Sequence, residues 1–120
     1  MELKRVIGNT RMPDVTFYED GHIDISATAA RALGLMPGDV IDMAVDGIEL
    51  YLMISSHGEV GRHMARCYPS SHCGGHYRLN SKRLVNYIRR YVGRKDKAIR
   101  AYAGEVLNKN GKKLLSIIPR

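Results

Sequence analysis

The sequence predicts an α+β protein: a small antiparallel β-barrel of ββαββ type over residues 15–54, followed by a basic helix and a C-terminal β-hairpin. Three observations predict it. Apolar and polar residues alternate with period two beside glycine-containing turns in residues 15–54, the pattern of half-buried hairpin strands. Between the two hairpins lies a short alanine-rich stretch closed by Gly34, sized for a very short helix. Residues 82–92 carry one apolar and one basic stripe at helical spacing.

The first element is the hairpin of VTFY and HIDI around Glu19-Asp20-Gly21, where Gly21 supplies the positive φ of a tight turn. Ser26 is the expected N-cap of a helix over Ala27–Leu33, because its hydroxyl can accept from a free amide of the first turn. The alanines favour that helix, and Gly34 ends it. MPGD, residues 36–39, reads as a turn. A strand over residues 40–45 then leads through the turn pair Asp46-Gly47 into a second strand with Ile48, Leu50 and Leu52 on one face. Ala29, Leu33 and Leu35 are expected to face inward with Ile23, Ile25, Ile41, Val45, Leu50 and Leu52.

Residues 55–80 are rich in Ser, Gly and His, with short strand candidates at 63–68 and 76–79. The clearest helix follows over Lys82–Val92, capped by Ser81 or Asn80 and ended by Gly93. Leu84, Val85, Ile88, Tyr91 and Val92 form its apolar stripe; Lys82, Arg83, Asn86, Arg89 and Arg90 form the opposite one. Strands over 98–107 and 112–118, about Lys109-Asn110-Gly111, read as the closing hairpin. No internal repeat is visible.

A chain of 120 residues, 44% hydrophobic, fits one domain over 1–120, since either half alone would bury too little apolar surface. The longest apolar run, Leu50 to Ile54, is far short of the roughly 20 residues that cross a bilayer. The start MELKRVIGNT lacks the apolar stretch of a secretory signal, so a cytoplasmic location and reduced thiols at Cys67 and Cys73 are expected.

Charge is segregated along the chain. Residues 1–60 hold four Lys/Arg against ten Asp/Glu, and residues 61–120 hold fifteen against two. Such segregation suits contact with a polyanion, or attraction between the two halves. The helix over 82–92 contains no Asp or Glu to compensate its cations through i, i+4 pairs, which points to an external or intersubunit anion. Lys82, Arg83, Arg89, Arg90, Arg94, Lys95, Lys97 and Arg100 are therefore the expected phosphate contacts. Tyr68, Tyr77, Tyr87 and Tyr102 are candidates to stack on unpaired bases, against the commoner role of a core tyrosine.

Two other chemistries score poorly. Cys67, Cys73 and His76, with His63 or His72, supply enough N and S ligands for zinc, but the Cys-x5-Cys-x2-His spacing matches no common finger or knuckle; no metal or other cofactor is expected. The chain has no nucleophile elbow and no Gly-rich dinucleotide loop, and Lys113 stands where a phosphate-binding loop needs Ser or Thr. The sequence does not predict an enzyme.

Residues 17–54, FYEDGHIDISATAARALGLMPGDVIDMAVDGIELYLMI, resemble the swapped-hairpin domain of AbrB/MazE-type transcription factors and antitoxins. The resemblance rests on the acidic turn before Gly21, the strand Ile23-Asp24-Ile25, the short helix bearing Arg31, Leu33-Gly34-Leu35, Pro37-Gly38-Asp39, and the Asp46-Gly47 hairpin, all in order. It implies a homodimer of interleaved hairpins and a DNA-binding surface around the first hairpin and helix, with Arg31 as the matching cation. Residues 15–54 carry that one Arg against seven acids, so the cations of the second half are expected to supply most of the contact. The expected function is a nucleic-acid-binding regulator or antitoxin-like protein, with DNA rather than RNA as ligand. The competing expectation is a non-catalytic assembly protein that uses the barrel as a scaffold for protein partners.

Overall fold

A computed structural model describes residues 13–55, 65–71, 74–93 and 96–120. The strands are β1 (Val15–Tyr18), β2 (His22–Ile25), β3 (Ile41–Asp46), β4 (Glu49–Ile54), β5 (Tyr68–Pro69), β6 (Tyr77–Asn80), β7 (Ala98–Lys109) and β8 (Lys112–Pro119). Two helices interrupt them, α1 (Ala27–Leu33) after β2 and α2 (Lys82–Val92) after β6. Among the described residues no helix is long and apolar enough to cross a membrane.

Local signals act as the sequence implies. Ser26 Oγ accepts from the Ala29 amide and Ser81 Oγ from the Leu84 amide, and Gly34 and Gly93 end the two helices at φ 71° and 74°. The left-handed value explains why glycine stands at both exits. One turn shifts by a residue: Asp46 pairs with Glu49, so the turn pair is Gly47-Ile48 rather than Asp46-Gly47. Gly47 takes the positive φ at the first central position, and Ile48 is left 88% exposed.

The expected fold class is overturned by the strand order. All eight strands form one antiparallel sheet, β3-β4-β8-β7-β1-β2-β6-β5, in a mostly β protein with 51% strand and 19% helix among the described residues. The first two hairpins do not make a barrel to which a helix and hairpin are appended. β7–β8 lies between them, with β7 on β1 and β8 on β4. Antiparallel neighbours far apart in sequence leave no trace in local periodicity, which is why the pattern of residues 15–54 reads as self-contained.

The sheet curls until its ends meet. Ile41 N–H donates to Ala65 O (2.9 Å), Cys67 N–H to Asp39 O (2.9 Å) and Gly38 N–H to Cys67 O (2.7 Å), so the segment preceding β5 closes on the approach to β3. Closure satisfies backbone groups that an open edge would leave unpaired. Ile23, Ile25, Ile41, Leu50 and Leu52 fill the interior with Phe17, Leu79, Ile99, Leu115 and Ile117, and both helices contribute to the same core through Ala29, Leu33, Val85 and Ile88. Val45, expected inside, is 40% exposed near the end of its hairpin.

The chain also contains a repeat invisible in its sequence. Hairpin, helix, hairpin occurs twice, as β1-β2-α1-β3-β4 and β5-β6-α2-β7-β8. Equivalent strands pair antiparallel across the junction, β2 with β6 and β4 with β8, as a two-fold axis between the units requires. The β1–β7 contact is matched by the bridge between Val40 and Arg66, which joins the start of the second unit to the approach of β3.

Candidate nucleic-acid interface

The basic stripe of α2 exists because the opposite stripe is buried. With Val85 and Ile88 in the core, helical geometry turns Lys82, Arg83, Asn86 and Arg90 to the outside, and all four are exposed. Lys82 and Arg83 occupy the first turn, which contains no acidic residue. There they oppose the helix dipole, at a cost of about 0.3–1 kcal/mol each. Arg89 and Arg90 sit in the last turn, where the dipole favours them.

The β1–β2 turn lies against this helix. Ser81 N–H donates to Gly21 O, and a Cβ on Gly21 would come within 3.0 Å of Lys82 Cγ, so the lysine stem runs over the turn. Glu19 N–H donates to Lys97 O (2.8 Å), and the Glu19 carboxylate stands 3.7 Å from Arg89 Nη2. Arg89 is thus half-buried beside an acid, and its Nε is buried without a hydrogen-bond partner. Its charge is less open to an external anion than those of Lys82, Arg83 and Arg90. The other acids of this hairpin are engaged locally. Asp20 accepts from the His22 amide (3.0 Å) and pairs with His22 Nδ1 (2.8 Å), contacts that hold its carboxyl below the usual carboxylate range. Asp24 is bound by Arg78.

Lys82, Arg83, Arg90 and Lys97 form no ion pair among the described residues, nor does Arg100, exposed on β7 opposite Thr16. Lys97 is brought beside α2 through Glu19. Arg31 stands exposed on the other helix, which packs on β7 and β8 whereas α2 packs on β1 and β2, so it is not part of the α2 stripe. Arg94 and Lys95 lie outside the described residues. Of the tyrosines, Tyr68 (53% exposed) and Tyr87 (37%) offer open rings. Tyr77 donates its hydroxyl to Leu35 O (3.2 Å), and Tyr102 lies under the Arg120 guanidinium at 5.7 Å.

Of the residues weighed for zinc, Cys67 and His76 lie among the described residues. Cys67 is fully buried on the inner side, its thiol directed at Met36 O (3.9 Å) and pushed up to about 11 by burial. His76 lies opposite Ser70, three residues further along the hairpin, and no group of three or more His, Cys, Asp or Glu among the described residues is placed to hold a metal. Cys73, His63 and His72 lie outside the described residues.

Sequence reasoning missed an open cleft of about 800 Å³ lined in part by Asp14, Thr16, Asp24, Ser26, Thr28 and His76. Asp14 is 4% exposed; its carboxylate accepts from Ala103 N–H (2.7 Å) and Ser26 Oγ–H (3.3 Å), so it ties β1, the α1 cap and β7 together. A buried carboxylate twelve residues before its hydroxyl partner has no local signature, since the pairing depends on how β1 meets β7.

No family model, curated protein or solved structure matches this chain.

Proposed function

We propose that the protein binds nucleic acid, DNA in preference to RNA, through the outer face of α2 together with Lys97 and Arg100. One observation carries the reading: Lys82 and Arg83 are exposed in the first turn of α2, against its dipole and without a carboxylate partner. An arrangement that costs stability in the free protein becomes favourable when its cations neutralise phosphates and release the counterions condensed on them. The resemblance of residues 17–54 to AbrB/MazE-type domains supports a cytoplasmic regulator or antitoxin-like role. The binding unit in this reading is a single chain, because the second unit supplies the strands that a partner copy would otherwise bring.

The test is fluorescence anisotropy with labelled random-sequence duplex and single-stranded DNA over a salt series. Binding is expected to weaken steeply from about 50 to 200 mM salt. The double substitution Lys82→Glu, Arg83→Glu should abolish it while leaving thermal stability unchanged or raised, since acids suit a helix N-terminus. Unchanged affinity would remove α2 from the site.

A protein-docking role is the second reading, favoured by Ile48, 88% exposed between Asp46 and Glu49 at the β3–β4 turn. Absence of any DNA binding at low salt would select it.

A further inference from the structure

The longest hairpin reaches past the described strands paired with it. β1 pairs with β7 only over residues 98–101, and β4 with β8 only over residues 114–116. Beyond the irregularity between Ala103 and Val106, Leu115 and Leu114 pair with β4 on one side and with Val106 and Leu107 on the other, and among the described residues Asn108 with Lys113 and Lys109 with Lys112 pair with each other alone. Residues 104–111 are exposed throughout. The turn is Asn110-Gly111, both at positive φ (53° and 79°), the conformation of a tight two-residue hairpin. The outcome is a short two-stranded arm of two residue pairs and a turn, extending roughly 7 Å beyond the last pair with β4. Its end carries Lys109, Lys112, Lys113 and two asparagine amides, and the nearest acid in sequence is Glu105.

Resting on the nucleic-acid reading above, we infer that the β7–β8 arm enters the major groove of B-form DNA. Lys109 and Lys113 meet the flanking phosphates, and Asn108 and Asn110 face base edges. The dimensions suit this. A major groove about 12 Å wide and 8.5 Å deep admits a two-stranded ribbon, whereas the minor groove, about 6 Å wide, does not. Asparagine amides match the paired donor and acceptor that adenine presents there. Double-stranded RNA offers a deep, narrow major groove closed to such an arm, and a single strand offers no groove. The arm therefore discriminates duplex DNA from both, which a basic helix face by itself does not.

The test compares the full-length chain with Lys109→Gln, Lys113→Gln and with Asn110→Gly, which keeps the turn conformation while removing an amide. Probes are random-sequence duplex DNA, single-stranded DNA and double-stranded RNA of equal length. The double lysine variant is expected to lose about tenfold in duplex DNA affinity at about 50 mM salt, with the salt slope falling by about 2, and to bind the other two probes like the parent. Equal loss on all three probes, or an unchanged duplex DNA affinity, overturns groove insertion while leaving the α2 interface standing. Failure of the parent chain to bind any of the three overturns the nucleic-acid reading and the arm with it.

Discussion

Arg78 holds Asp24 in a two-point grip, with Nε 2.7 Å from one carboxylate oxygen and Nη2 3.2 Å from the other. The pair bridges β2 and β6, the seam between the two hairpin–helix–hairpin units. Its side chains are 42% and 27% exposed, so solvent screens much of the attraction. A double-mutant cycle with Asp24→Ala and Arg78→Ala, followed by urea unfolding, should give a coupling of about 0.5–1 kcal/mol that shrinks at high salt. No coupling at low salt would show that apolar packing alone holds the seam.

Gly75 presses on the start of α1. Its φ is +80°, and an added Cβ would stand 2.9 Å from Ala27 Cβ. Gly75→Ala is expected to cost about 2 kcal/mol through the left-handed backbone and the clash. Gly74→Ala, where nothing lies within 4 Å and φ is not positive, is the control and should change the unfolding midpoint little. Equal midpoints for the two variants would refute the contact.

The Cys67 thiol is raised from 9.0 to about 11 by burial, with the Asp39 charge adding to it. A raised folded value means that the fold prefers the neutral thiol. That contribution to stability is complete below about pH 9 and is lost as pH rises toward 11. In a Cys73→Ser background the native protein should resist iodoacetamide near pH 8 and react once unfolded, because the thiolate is the nucleophile. Rapid labelling of the native protein, read by mass spectrometry, would contradict this burial.

The closed sheet bears on assembly. One hairpin–helix–hairpin unit is too small to bury its apolar face alone, and here a second such unit is in the same chain. Light scattering should return the 13.5 kDa of a single chain. A doubled mass would mean that association serves something other than completing the core.

Local structure was legible where a single residue decides it. Ser26, Gly34, Ser81, Gly93 and Asn110-Gly111 mark caps and turns by conformational necessity, and the stripes of residues 82–92 follow from helical geometry. The α2 cations were legible for the same reason, whereas the role of Asp14 and the partial screening of Arg89 by Glu19 depend on contacts between distant strands. The repeat is hidden because its halves differ where packing, rather than backbone, sets the residue. Gly21-His22 and Gly75-His76 stand at the start of equivalent strands, but Ile23 and Ile25 correspond to Tyr77 and Leu79, and α1 has 7 residues where α2 has 11.

Fusing two like units into one polypeptide frees them from copying each other. In a two-fold assembly of identical subunits every substitution is made twice, so one unit cannot become acidic while its partner becomes basic. Here ten of the twelve acids lie in residues 1–60 and fifteen of the nineteen cations in residues 61–120. The covalent link is what permits the two units to carry opposite charge, a difference that a symmetric pair is barred from reaching.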